Sequence, residues 1–161
     1  MRAEETLLFS GNGDSLRIGI VCEKDRISQA YGDAQLTIAV QSSGFAGNGT
    51  CWVEWANMWR FCLAMNALHT KMRGKAELQS MSKGELALTI QQISARGAFA
   101  VEGQIGRLIY ATDHIFRHAV TFGFEIELSQ VEKAGKQLAR LAAETAWNVI
   151  ELTRRNDVDL Q

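Results

Sequence analysis

Two histidines late in the chain, His114 and His118, are the residues whose spacing first suggests chemistry. They fall on one face of a regular strand, because alternate side chains of a strand point the same way. With His69 or a cysteine they could hold a zinc ion through imidazole nitrogen and thiolate sulfur. The candidate ligands are scattered, however, and neither a C-x-x-C nor an H-E-x-x-H motif is present. We therefore predict no metal and no cofactor.

The three cysteines, Cys22, Cys51 and Cys62, are the candidate nucleophiles. A histidine beside Cys51 or Cys62 could activate the thiol. Cys62 falls on an apolar helical stripe and Cys51 in an alternating strand, where a thiol usually packs as a small hydrophobic group. An odd number of widely spaced cysteines is not a disulfide framework. We therefore predict reduced, non-catalytic thiols and a cytoplasmic protein.

Glu125 and Glu127 are carboxylates at a spacing that acid–base chemistry could use. Two residues apart on a strand, they share a face at about 7 Å. Alternating glutamates on a solvated strand face are far commoner than such catalytic pairs. The glycine-containing stretches 11–13 and 44–49 lack the Lys-Ser/Thr of a phosphate-binding loop. The sequence therefore favours a protein that is not an enzyme.

The four tryptophans most favour a binding function. Tryptophans can line a ligand pocket or anchor an interface, although the simplest prediction is that they wedge a junction between helix and sheet. Trp52 points away from Trp55 in its strand, and Trp59 lies off the apolar stripe of its helix, so at least one should be exposed. The candidate partner-binding residues are Trp52, Trp59, Glu125 and Glu127.

Residues 56–73 should form the helix around which the rest of the chain is organised. Its apolar side chains recur at steps of three and four, the spacing of one helical stripe: Met58, Phe61, Cys62, Met65, Leu68 and Met72. Asn57 is placed to cap the first turn, and Gly74 to close the last one in a left-handed conformation. A second amphipathic helix should follow a capping box formed by Ser129 and Glu132.

Most of the chain before residue 128 alternates between apolar and polar residues, which is typical of half-buried strands. We predict an α+β fold: an antiparallel sheet of seven or eight strands with one helix inserted mid-sheet and one C-terminal helix. A short edge strand is expected at residues 7–9, a loop at 107–113, and no internal repeat. The whole chain, 1–161, should form a single domain with a polar tail from about residue 155.

Bulk composition restricts the partners. The net charge is −1 and the basic residues are dispersed, so we predict no nucleic-acid partner. No apolar run reaches the roughly 18 residues that a membrane helix needs, so we predict no membrane partner. The N-terminal stretch is a poor signal peptide. An exposed edge strand near Leu7 could pair two chains into a homodimer.

The order of these motifs resembles that of the WapI-type immunity proteins of bacterial contact-dependent toxin systems. The resemblance covers residues 32–142. It runs from the strand GDAQLTIAV, through TCWVEW, into the helix MWRFCLAMNAL, and continues through ELALTIQQI, ARGAFAVEGQI and FGFEIELSQ. The resemblance implies a small cytoplasmic protein that blocks a toxin domain by binding it, without catalysis.

We therefore expect a non-enzymatic immunity protein that neutralises a cognate bacterial toxin domain by direct binding. The alternative is an α+β domain that binds a small molecule in a tryptophan-lined pocket under the helix. An enzyme that uses His114 or His118 is a less favoured third reading.

Overall fold

The computed structural model describes residues 2–159, and the side chains of residues 2–153. Its elements follow one another as two copies of the order ββββα, with a further helix at the end. The first half contains β1 (Arg2–Gly11), β2 (Asp14–Glu23), β3 (Ala34–Ser42), β4 (Phe45–Val53) and α1 (Trp55–Lys71). The second half contains β5 (Lys75–Gln79), β6 (Leu86–Gln92), β7 (Phe99–Tyr110), β8 (Ile115–Ile126) and α2 (Leu128–Thr145). The last helix is α3 (Trp147–Asp159).

Each half forms its own four-stranded antiparallel sheet, in the orders β1-β2-β3-β4 and β5-β6-β7-β8. The predicted α+β fold is confirmed, but the prediction of one sheet of seven or eight strands is wrong. The order of elements repeats once along the chain, which the sequence did not indicate. Alternating patterns identify strands but do not say which strands are neighbours. Here α1 interrupts the series, and the chain starts a new sheet after it.

The two helices each cover the sheet of the other half. Helix α1 packs on β5 and β6, whereas α2 packs on β1 and β2. The helices also contact each other, and the Asn66 side-chain amide donates to the Gly135 carbonyl at 3.1 Å. Gly135 allows this close approach, since a Cβ there would lie 3.1 Å from the His69 ring. Because each helix packs on the sheet of the other half, both sheets and both helices share one core.

The predicted helical stripe is the buried face of α1. Its members Met58, Phe61, Cys62, Met65 and Leu68 are buried, and Met72 is partly buried. The predicted ends of this helix are wrong in detail. Glu54, and not Asn57, is the N-cap residue, and its side chain makes no capping hydrogen bond. The Asp33 carboxylate instead accepts a hydrogen bond from the Trp55 amide at 2.9 Å. Met72, with φ of 54°, takes the left-handed position after the last turn, where its amide donates to the Leu68 carbonyl.

Other boundaries also differ from the predictions. Helix α2 starts at Leu128 with Glu127 as its N-cap residue and no side-chain cap, so Ser129 and Glu132 form no capping box. The Glu132 carboxylate instead pairs with Lys136 one turn later, at 3.0 Å. The strand predicted at residues 7–9 is ten residues long, because its alternation continues through polar residues on the exposed face.

The C-terminal helical region is divided by Ala146, which has φ of 54° and ends α2. Helix α3 then begins at Trp147, whose buried indole donates to the Gly32 carbonyl at 2.9 Å. The backbone of α3 continues to Asp159, across the predicted polar tail, and residues 160 and 161 lie outside the described residues. No helix formed by the described residues has the length and apolar character needed to cross a bilayer.

Candidate binding surface

The candidate nucleophiles lie inside the core. Cys22, Cys51 and Cys62 are all buried and free. Burial, reinforced by Glu144 and Asp33, raises the pKa of Cys22 to about 12. Burial also raises the pKa of Cys62 to about 11, despite a hydrogen bond from Asn66 that lowers it. Such thiols stay protonated near neutral pH, which disfavours nucleophilic chemistry.

The three histidines lie in different settings. His114 is exposed beside the β7–β8 turn, where its ring packs edge-on against Phe116 at 4.8 Å. His118 is exposed on β8, opposite Arg107. His69 lies on α1, with its Nε2 atom 3.2 Å from the Asn66 side-chain oxygen. Within the described part of the chain, no three or more His, Cys, Asp and Glu residues form a group that could hold a metal ion.

Glu125 and Glu127 are both exposed. Glu125 lies on the outer face of the second sheet, where it lines an open groove of about 580 Å³ together with Glu102. Glu127 follows the end of β8 and precedes α2. Glu125 borders an open groove and Glu127 is exposed, and neither is a good setting for acid–base catalysis because water is not excluded.

The tryptophans do not share a pocket. Trp147 is fully buried, and Trp55 and Trp59 are partly buried against the core. The Trp59 indole donates to the Glu151 carboxylate at 2.7 Å, which ties α1 to α3. Trp52 is 43% exposed on the outer face of β4. Three of the four therefore wedge helix against sheet or helix against helix, and Trp52 is the one that points to solvent.

A cluster of exposed apolar side chains lies elsewhere, on the hairpin of β7 and β8. The pairing of β6 with β7 ends at Leu86 and Ile105, but β7 and β8 continue together to Tyr110 and Ile115. We call this overhang, residues 106–110 paired with residues 115–119, the ribbon. The sequence predicted a loop at 107–113, and that prediction is wrong for residues 107–110, because exposure on both faces removes the alternation that marks a half-buried strand.

Five large apolar side chains of the ribbon are exposed, by between 37% and 73%: Leu108, Ile109, Tyr110, Ile115 and Phe116. Directly paired residues share a face. Leu108 and Tyr110 are therefore on the outer face of the second sheet, and Ile109 and Phe116 on the opposite face. A soluble monomer rarely exposes so many neighbouring apolar groups unless they bind something. Sequence reasoning missed this surface, although the run LIY followed by IF without glycine was a signal.

A groove of about 830 Å³ lies beside the ribbon, between it and the β5–β6 loop. Lys83, Arg107 and Arg117 line it, against one acidic residue, Glu85. Among the described residues, none of these three basic side chains forms an ion pair. Arg117 lies over the loop, since its guanidinium is 3.5 Å from where a Gly84 Cβ would be. Basic residues that look dispersed in sequence are therefore gathered at one surface.

Comparisons with known proteins identify no family for this chain. No protein-family model and no curated protein match the chain. Among solved structures, MRP1/MRP2 of Trypanosoma bruciei is similar, with 11% identity, a TM-score of 0.48, and coverage of 88% of this chain and 84% of that one. A guideRNA-binding protein complex bound to a gRNA is similar with 11% identity, a TM-score of 0.49, and coverage of 91% and 93%. We draw no functional conclusion from similarities at this level.

The sequence analysis excluded nucleic acid as a partner, and that exclusion is wrong. The exclusion rested on the dispersed basic residues, and the fold brings Lys83, Arg107 and Arg117 together. The charge pattern of the sequence therefore excludes no class of partner.

Proposed function

We propose that this chain is a non-enzymatic binding protein and that the ribbon contacts its partner, a protein. The observation that carries the proposal is the cluster of five exposed apolar side chains on a hairpin that extends past its own sheet. Aromatic and large aliphatic side chains that become buried on binding supply most of the affinity of protein interfaces. Arg117 and Arg107 add the polar rim that such interfaces have.

Our proposal for the partner is a bacterial toxin domain, the partner that the resemblance to immunity proteins implies. An inhibitor needs only to cover a surface of the toxin, and a projecting hairpin can enter a concave site. The candidate residues Trp52, Trp59, Glu125 and Glu127 lie outside the ribbon. We assign the contact to the ribbon because it has more exposed apolar surface.

The experiment is co-expression of the tagged chain with the products of its neighbouring genes, followed by pull-down and a growth assay. We expect a stable complex and rescue of growth with the native chain. The double variant Ile109→Ser/Phe116→Ser should lose the complex and the rescue. Leu63→Ser is the matched control, because Leu63 is 50% exposed on α1, away from the ribbon.

Two results would contradict the proposal. If the double variant captures the partner as well as the control does, the ribbon is not the contact surface. If the neighbouring gene products give neither a complex nor rescue, the toxin assignment fails. Light scattering on the purified chain tests the homodimer prediction, and a dimer abolished by the double variant would make the ribbon a self-association surface.

A further inference from the structure

The edge of β7 along the ribbon has no strand beside it. The Gly106 amide donates to the Glu85 carbonyl at 3.1 Å, which is the last bond from β7 toward β6. Along a strand, successive residues direct their amide and carbonyl groups to opposite sides. The Leu108 and Tyr110 backbones therefore point the same way as Gly106, past the end of β6. The Ala111 amide, of opposite parity, donates across the hairpin to the His114 carbonyl at 2.8 Å.

This open edge faces the basic groove. Leu108 and Tyr110 line the groove themselves, together with Lys83 and Arg117. Among the described residues, no hydrogen bond reaches the Leu108 or Tyr110 amide from the groove side. A strand edge with unpaired amides and carbonyls is a template for another strand. Its donors and acceptors match an extended peptide backbone and not a row of phosphates.

We infer that the ribbon binds an extended, acidic segment of the partner, which adds a strand to the β7 edge in the groove. Backbone bonds from Leu108 and Tyr110 hold the segment, as in other cases of β-strand addition. Lys83 and Arg117 select acidic side chains on it, since Glu85 is the only acidic residue lining the groove. This inference deepens the proposed function and rests on it for the identity of the partner.

A labelled ten-residue peptide of alternating Val and Glu is the probe, with a Val–Lys peptide as its charge-reversed control. Fluorescence anisotropy should show binding of the Val–Glu peptide that weakens as salt is raised. The Val–Lys peptide should not bind. In amide NMR spectra, the residues that shift should include Leu108 and Tyr110.

The decisive variant is Leu108→Pro, because proline removes the edge-facing amide without removing a bond between β7 and β8. We expect a loss of affinity of at least about tenfold, the effect of about 1.4 kcal/mol. Leu108→Ala is the matched control, since it keeps the amide. Lys83→Glu/Arg117→Glu should reverse the preference, so that the Val–Lys peptide binds better than the Val–Glu peptide.

Four outcomes would overturn the inference. In the first, Val–Glu binding leaves the Leu108 and Tyr110 amides unshifted. In the second, Leu108→Pro binds the peptide as well as Leu108→Ala does. In the third, a single-stranded oligonucleotide binds the groove and the Val–Glu peptide does not, which would assign the groove to nucleic acid. If Ile109→Ser/Phe116→Ser abolishes partner capture and Leu108→Pro does not, the proposed function stands and the strand-addition inference fails.

Discussion

The two halves of the molecule share one order of elements and differ in where their last hairpin stops. In the first half, the β3–β4 hairpin ends level with β2, and the Asp14 carboxylate accepts a hydrogen bond from the Ser43 amide at the turn. In the second half, β7 and β8 continue for five further pairs after β6 ends, from Gly106 and Ala119 to Tyr110 and Ile115. The first hairpin shows that the fold does not need an overhang, so the ribbon is an addition to it.

The largest expected contrast is between two phenylalanines, one from each half. Phe61 is fully buried on α1, whereas Phe116 is 49% exposed on the ribbon. Phe61→Ala should lower the free energy of unfolding by about 3–5 kcal/mol, through lost burial and a cavity. Phe116→Ala should change it by at most about 0.5 kcal/mol, as is usual for surface sites.

Urea denaturation of both variants checks this contrast. A loss of more than about 2 kcal/mol in Phe116→Ala would show that the ribbon supports the fold, since surface substitutions rarely cost so much.

The next contrast tests how closely β4 packs against the strands of the second half. A Cβ at Gly47 would lie 2.9 Å from the Val120 side chain and 3.2 Å from Ile105, whereas a Cβ at Gly49 would meet nothing within 4 Å. Gly47→Val should therefore lower stability by about 1–3 kcal/mol through overpacking. Gly49→Val, on the same strand, should be neutral or stabilising, because valine favours strands. Thermal unfolding of the pair measures the difference, and equal melting temperatures would argue against contact at Gly47.

A smaller contrast concerns α3, the element with no counterpart in the first half. Trp147→Phe keeps most of the buried ring but leaves the buried Gly32 carbonyl without its indole donor, which should cost about 1–3 kcal/mol. Trp59→Phe should cost less, because the Glu151 carboxylate is partly exposed and water can replace the indole. Chemical denaturation ranks the two variants, and the reverse order would contradict this account of α3.

The smallest effect at neutral pH concerns the thiols, all of which belong to the first half. Because Cys22 has a folded pKa of about 12 against an ordinary value of 9.0, its contribution to stability is complete below about pH 9. That contribution is lost as pH rises from 9 toward 12, since the unfolded thiol releases its proton first. Melting temperatures should fall over this range, and less so in Cys22→Ala. Iodoacetamide should label the native thiols far more slowly than the unfolded ones.

The sequence predicted the elements much better than their arrangement. The spacing from Met58 to Leu68 predicted the buried stripe of α1, because helical burial follows a local period. The two separate sheets could not be predicted, since strand pairing depends on contacts between distant residues. The ribbon was missed because Leu108 and Ile109 are both exposed, so no alternation marks their strand. The basic groove combines residues 83, 107 and 117, which come together only after folding.

The packing of each helix on the sheet of the other half has a consequence for how this chain can fold. A fragment ending after α1 would contain the first sheet without α2, and α1 without the second sheet on which it packs. The remaining fragment would contain the second sheet without α1, and α2 without the first sheet. We therefore expect that neither fragment completes a core alone. Many essential contacts join residues far apart in sequence, which is typical of slow, all-or-none folding. Separately produced halves should therefore acquire structure only when mixed.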